Sequence, residues 1–268
     1  MPYSRPSLGR SLTLLLLGFA LLFGSPSWAG STGVVLIHGK WGLPGKQIDS
    51  LASALREADF KVVTPEMPWS GRRLYDEGID EAMLEIDAAI AKLRKEGADR
   101  IFVAGHSLGS AAAIRYAGRT KIDGLIVLAP GHFPEGDKSR EATAADVARA
   151  KAMTAAGKPA ASDEFTDHNT GNRSKTIKMR ARVFLDYQDP DGPMNFQNNV
   201  ASIKPGVPVL WVVGKSESTG LQHLGKLAYD KLPRPLDATF AEVDGDHGAT
   251  PSKAADIVVA WLKARSDR

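Results

Sequence analysis

The sequence of 268 residues contains no cysteine. That absence excludes disulfide staples, a thiol nucleophile and a lipid-modified N-terminal cysteine, so a chain working in an oxidising compartment would rely on its core alone. Internal repeats and low-complexity linkers are missing too, and the length suits one good core. A large excess of one charge is also lacking. The formal charge of +3 includes Arg5 and Arg10, and without those two about +1 remains. Lys and Arg are scattered, apart from short clusters at Arg72-Arg73 and between Arg173 and Arg182. That distribution reads as a solvated basic face, and no nucleic-acid partner is expected.

The first thirty residues differ in kind from the rest. Arg5 and Arg10 precede an apolar run from Leu12 to Phe23, which Gly24, Ser25 and Pro26 break. Ser27 and Ala29 then supply small residues at the two positions a signal peptidase reads. The expectation is a secretory leader over residues 1–29, cleaved after Ala29, with a secreted or periplasmic product. The alternative is a membrane anchor, but the run falls short of the roughly 20 residues a spanning helix needs. No stable membrane span is expected once the leader is removed.

Beyond the leader, short apolar runs alternate with helical patterns. The runs are "GVVLIHG" (33–39), "FKVVTPEMP" (60–68), "RIFVAG" (100–105), "GLIVLAPG" (124–131), "VPVLWVVG" (207–214) and "ATFAEVDG" (238–245). Runs this apolar suit strands covered on both faces, as in a parallel sheet. Between and after them, Ile79, Met83, Ile86, Ala89, Ile90 and Leu93, and then Ala254, Ile257, Val258, Trp261 and Leu262, recur at helical spacing. The expected fold is α/β, an open, mostly parallel sheet of about six strands with helices on both faces. Residues 30–268 would form one domain with a small insertion at about 132–188. Within that insertion a helix is expected over Glu141 to Ala156. The stretch Ile177 to Tyr187 alternates like a strand, yet Val183, Phe184 and Tyr187 share a helical face, and the spacing favours helix. The insertion could cover a pocket or be a surface excursion.

In open α/β sheets ligands bind at the carboxyl ends of the strands, and those ends carry the chemistry-bearing residues here. Gly105-His106-Ser107-Leu108-Gly109 fits G-x-S-x-G between an expected strand and an expected helix. Glycines permit a crowded turn that lifts the Ser107 hydroxyl above the sheet edge, where the amides of the next helix point. A nucleophilic serine needs a base, and the base needs a carboxylate to hold it. His247, in "DGDHGATP" after the last strand, stands at the same edge as Ser107. His38 and His106 are better placed to brace loops, and His132, His168 and His223 lack so clear a context. Glu217, after the fifth strand, is the first choice for the acid, with Asp189 and Asp191 in "DPDGP" as competitors. Asp244 and Asp246 read as shapers of the histidine loop, and "DPDGP" reads first as a turn.

The stretches "VVLIHGKWG", "FVAGHSLGSAAA", "PVLWVVGKSE" and "VDGDHGATP", in the order serine, acid, histidine, resemble the α/β-hydrolase superfamily over roughly Gly33 to Lys263. The resemblance implies a serine hydrolase acting through an acyl-serine, with the amides of Lys40 and Leu108 as the oxyanion hole and an acyl compound as substrate. It implies neither a metal nor another cofactor. Glutamate at 217, where the family usually has aspartate, is a departure, and the chain begins near the family's third strand, which implies a trimmed sheet. Serine at the elbow argues against dehalogenase chemistry, which needs a carboxylate there. A carboxylic ester is the leading substrate class. Thioester or amide hydrolysis, acyl transfer, or non-catalytic binding on the same scaffold are the alternatives. Trp41, Trp69 and Phe133, at strand ends, are candidate walls of a substrate pocket, although aromatics at such places serve equally as core.

Overall fold

Alternation of side chains along each strand sends successive residues to opposite faces of a sheet, and this chain uses both faces. In the computed structural model, which describes residues 31–171, 173–234 and 237–266 together with Met1 and Tyr3, the chain opens with β1 (Thr32–Ile37), α1 (Asp49–Glu57), β2 (Lys61–Val63) and α2 (Ile79–Lys95). The apolar run and cleavage site of the expected leader lie outside the described residues. Next come β3 (Arg100–Ser107), α3 (Leu108–Arg119), β4 (Gly124–Pro130), α4 (Asp137–Ala155), β5 (Ser162–Asn169), β6 (Arg173–Arg180), α5 (Ala181–Gln188) and α6 (Phe196–Ala201). The chain then runs through β7 (Val209–Gly214), α7 (Thr219–Asp230), β8 (Ala238–Val243), α8 (Thr250–Lys253) and α9 (Ala255–Ser266).

Six strands form one parallel sheet in the order β2-β1-β3-β4-β7-β8, as the apolar runs lead one to expect. Val34, Leu36, Phe102, Ala104, Ile126, Leu128, Leu210 and Val212 face Leu51 and Leu55 of α1 and Val258, Trp261 and Leu262 of α9. Their neighbours Val35, Ile37, Val103, Leu125, Val127, Val209 and Trp211 face the other way, against α2 and α3. Burying one such side chain fully is worth about 1.5–3 kcal/mol, and the central strands do it on both sides. The parallel order leaves the carboxyl ends of all six strands at one edge.

The insertion after β4 departs from the expected outline. The helix expected over 141–156 is present as α4. The stretch 177–187, for which the spacing favours helix, is instead the end of a strand followed by a helix. β6 pairs antiparallel with β5, placing Phe165 opposite Ile177 and Asp167 opposite Lys175, and the chain turns into α5 only at Ala181. Both periodicities were present because two elements meet there. Phe165, Ile177 and Met179 are buried on one face of the hairpin, and the Phe165 ring stacks on Phe184 of α5 at 4.3 Å. Among the described residues, no helix is long and apolar enough to cross a membrane.

Candidate active site

The elbow at the end of β3 is built by steric exclusion. A Cβ on Gly105 would lie 2.1 Å from the carbonyl oxygen of Gly109, and one on Gly109 would lie 2.5 Å from that of Ile37. Only glycine lets α3 start so close to the strand ends. Ser107 itself sits in the left-handed region with φ 55° and ψ −121°, a conformation that costs a non-glycine residue free energy and must be held by its surroundings. Ser110 Oγ donates to the Ser107 carbonyl at 2.6 Å, which helps to hold it. The result is a hydroxyl at the N-terminus of α3, beside amides that have no partner within the helix.

Two loops bring the partners to that hydroxyl. The loop after β7 carries Glu217, and the loop after β8 carries His247. They are tied to each other: the amides of Lys215 and Ser216 donate to the carbonyls of Val243 and Gly245 at 2.9 and 3.0 Å. A Cβ on Gly214 would lie 2.3 Å from the Gly245 carbonyl oxygen, so glycine is required for this approach. His247 Nε2 lies 2.8 Å from Ser107 Oγ, and His247 Nδ1 lies 2.5 Å from Glu217 Oε2. A carboxylate can only accept, so Nδ1 carries the proton, and neutral Nε2 is left as an acceptor for the serine hydroxyl. Glu217 is held by its other oxygen, which accepts the Ser218 amide at 2.8 Å. Its side chain is 5% exposed, and that of His247 is 15% exposed.

His247 Nδ1 takes Glu217 rather than any of the competing carboxylates. Asp189 pairs with Lys151 at 2.9 Å and accepts the Asp191 amide at 3.1 Å, as a turn former does. Asp191 is exposed. Asp244 pairs with Lys215, and Asp246 accepts the Ala249 amide at the start of α8, so both shape the histidine loop. His38 and His106 brace their loops. The Met67 amide donates to His38 Nε2 at 3.1 Å while Nδ1 donates to the Gly39 carbonyl at 2.8 Å, and burial lowers the His38 pKa. His106 Nε2 donates to the His247 carbonyl at 2.8 Å, and burial, then the proximity of His247, lowers its pKa to about 3.

The remaining candidates divide. Leu108 opens α3 directly after Ser107. Gly39 packs so tightly on the elbow that a Cβ there would be 3.0 Å from Ser107 Cβ, and Lys40 follows it. Trp41 is partly buried, with Lys175 Nζ 4.5 Å from its ring centroid. Trp69 and Phe133 both pack into the core. Trp69 is fully buried, its indole donating to the His38 carbonyl at 2.9 Å, and Phe133 packs on Phe196 at 4.3 Å with 3% of its surface exposed. Gly131 lies against the serine and the histidine: a Cβ there would be 2.8 Å from Ser107 Oγ and 3.3 Å from His247 Cε1. Sequence reasoning missed Asp167, a fully buried carboxylate that joins the insertion to the Lys40–Trp41 turn. Its one signal was a spacing of two from Phe165, which puts both side chains on one face of a strand. Among the described residues, no group of three or more His, Asp or Glu side chains is placed to hold a metal ion.

Residues 34–266 match the family described as the alpha/beta hydrolase family. Among solved structures, one described under "LipS and LipT, two metagenome-derived lipolytic enzymes" aligns over 88% of this chain and 94% of its own, with TM-score 0.61 and 19% identity. The monoacylglycerol lipase of Paleococcus ferrophilus aligns over 88% and 96%, with TM-score 0.62 and 22% identity. Est1E from Butyrivibrio proteoclasticus, with ferulic acid bound, aligns over 90% and 91%, with TM-score 0.60 and 16% identity. At these identities the likeness is one of fold. A search of curated proteins finds no match.

Proposed function

Since the chain belongs to the alpha/beta hydrolase family, we propose that it is a serine hydrolase that cleaves a carboxylic ester through an acyl-serine intermediate. The observation that carries this reading is the continuous relay from Ser107 Oγ through His247 to Glu217, with contacts of 2.8 and 2.5 Å. Ser107 Oγ attacks the ester carbonyl and passes its proton to His247 Nε2. Glu217 stabilises the imidazolium that forms. The oxyanion is met by the amides of Leu108 and Lys40, each donor of this kind being worth about 3 kcal/mol in the transition state. His247 then protonates the departing alcohol. In the second half the same imidazole takes a proton from water, which attacks the acyl-serine, and returns that proton to Ser107 Oγ as the carboxylic acid leaves.

That the similar structures include lipolytic enzymes, a monoacylglycerol lipase and Est1E with bound ferulic acid supports an ester over an amide. The test is hydrolysis of a short p-nitrophenyl ester, expected for the wild type and lost in a folded Ser107→Ala protein. Wild-type turnover in that variant would remove Ser107 from the mechanism. We also infer export to the periplasm or beyond, from the basic, apolar and small-residue segments of residues 1–29. N-terminal sequencing of exported protein should start at Gly30, and an intact Met1 on a membrane-held chain would contradict this.

A further inference from the structure

Asp167 of β5 receives four hydrogen bonds and takes no part in the proposed chemistry. It is fully buried. Its Oδ1 accepts from Lys40 Nζ at 2.6 Å and Gln188 Nε2 at 2.8 Å, and its Oδ2 accepts from Trp41 Nε1 at 2.9 Å and the Tyr75 hydroxyl at 2.8 Å. The donors come from separate parts of the chain: the turn after β1, the segment before α2 and the end of α5. The Lys40 ammonium also donates to the His168 carbonyl at 2.6 Å, and its side chain is only 6% exposed. A buried ion pair is seldom kept for stability, because desolvating both charges commonly offsets their attraction and an apolar pair of similar volume serves as well. What a saturated pair adds is direction.

That direction is applied to one turn. Trp41 is held in the left-handed region at φ 56°, which a bulky residue adopts only under constraint. Its amide donates to the Trp69 carbonyl at 2.9 Å, and the Gly42 amide donates to the Gly39 carbonyl at 3.0 Å. Side-chain anchors to Asp167 from both Lys40 and Trp41 complete the constraint. Within the turn, the Lys40 amide itself meets no acceptor among the described residues, and Gly39 next to it touches the elbow. We propose that Asp167 is a positioning residue, through which the β5–β6 hairpin fixes the Lys40 amide where the oxyanion develops. The inference rests on the acyl-transfer reading of Ser107. It makes the insertion a working part of the active site.

The test uses the full chain with Asp167→Asn, and with Asp167→Asn combined with Lys40→Met. The single variant leaves the Lys40 ammonium buried without its carboxylate and can lose stability for that reason alone. The double variant removes both charges and keeps the backbone amide at position 40. Rates are normalised to the fraction that a fluorophosphonate labels at Ser107, so unfolded protein does not count. The double variant should melt near the wild type, with kcat on a short p-nitrophenyl ester about 10²-fold lower, the scale of one lost oxyanion donor. KM should stay within about threefold, and affinity for a trifluoromethyl ketone, whose adduct carries an oxyanion, should fall in step with kcat/KM. Wild-type kcat in either variant, or a rise in KM with kcat unchanged, would overturn the proposal and leave the Ser107 reading intact. A wild-type protein that takes no label at Ser107 would overturn that reading, and the proposal with it.

Discussion

Replacing Glu217 by glutamine should cost about four orders of magnitude in turnover and almost nothing in stability. The Ser218 amide donates to Glu217 Oε1 at 2.8 Å. If the glutamine oxygen stays there, its NH₂ group replaces the carboxylate oxygen that now lies 2.5 Å from His247 Nδ1. That group can only donate, so the imidazole must turn its lone pair toward position 217 and carry its proton on Nε2. The nitrogen facing Ser107 would then be unable to take the hydroxyl proton. The flipped amide sets NH₂ against the Ser218 N–H, where two donors meet. In either arrangement the compensating charge for the imidazolium is also gone. In a related Ser-His-Asp arrangement this kind of change lowers kcat by about 10⁴, or about 5 kcal/mol of barrier. Turnover of a short p-nitrophenyl ester and a thermal melt followed by circular dichroism measure the two effects separately. Asp189→Asn is the comparison, because Asp189 holds Lys151 and a turn; it should act through the melt and leave kcat within about threefold. Glu217→Gln with kcat within tenfold of wild type, in a protein that melts normally, would refute the role given to Glu217.

Further expectations concern pH and the elbow. The His106 pKa is lowered to about 3 in the fold, against about 6.5 when unfolded, so below pH 6.5 the unfolded chain binds the extra proton. Stability is therefore fully present above about 6.5 and is lost as pH falls toward 3, at about 1.4 kcal/mol per pH unit for this residue. His106→Gln should flatten the slope of unfolding free energy against pH by that amount in urea melts between pH 6 and 4, and an unchanged slope would contradict it. Gly105→Ala should lose at least about 3 kcal/mol, because its Cβ would lie 2.1 Å from a backbone oxygen. Gly220→Ala in α7, where nothing lies within 4 Å, should gain about 0.5–1 kcal/mol. Equal effects at the two glycines in denaturant melts would refute the steric account of the elbow.

Parts of the fold and site differ in how legible they are from sequence. The six strands of the main sheet could be read because each is an apolar run closed by glycine or proline, and the elbow because its glycines fall between strand and helix. Ser107, Glu217 and His247 stand at carboxyl ends of strands that the parallel order carries to one edge, so position alone points to their meeting. The β5–β6 hairpin was hidden because a strand passes into a helix at Ala181 without a breaker, and the two periods overlap. Trp69 and Phe133 stayed ambiguous in the sequence because a strand end is close both to solvent and to the core, and their packing on His38 and Phe196 is a tertiary contact. Asp167 could not be paired with Lys40 from sequence, since their meeting depends on how a hairpin folds back over a turn 127 residues earlier.

The central claim is that Ser107 is a nucleophile activated by His247. Incubation of the folded protein with a fluorophosphonate, followed by digestion and mass spectrometry, tests it most directly, because the reagent leaves a stable phosphonyl group on the attacking oxygen as fluoride departs. The account predicts one adduct, on the peptide containing Ser107, that forms far more slowly in His247→Ala and not at all in Ser107→Ala. An unlabelled wild-type protein, or an adduct on any other serine, would contradict it.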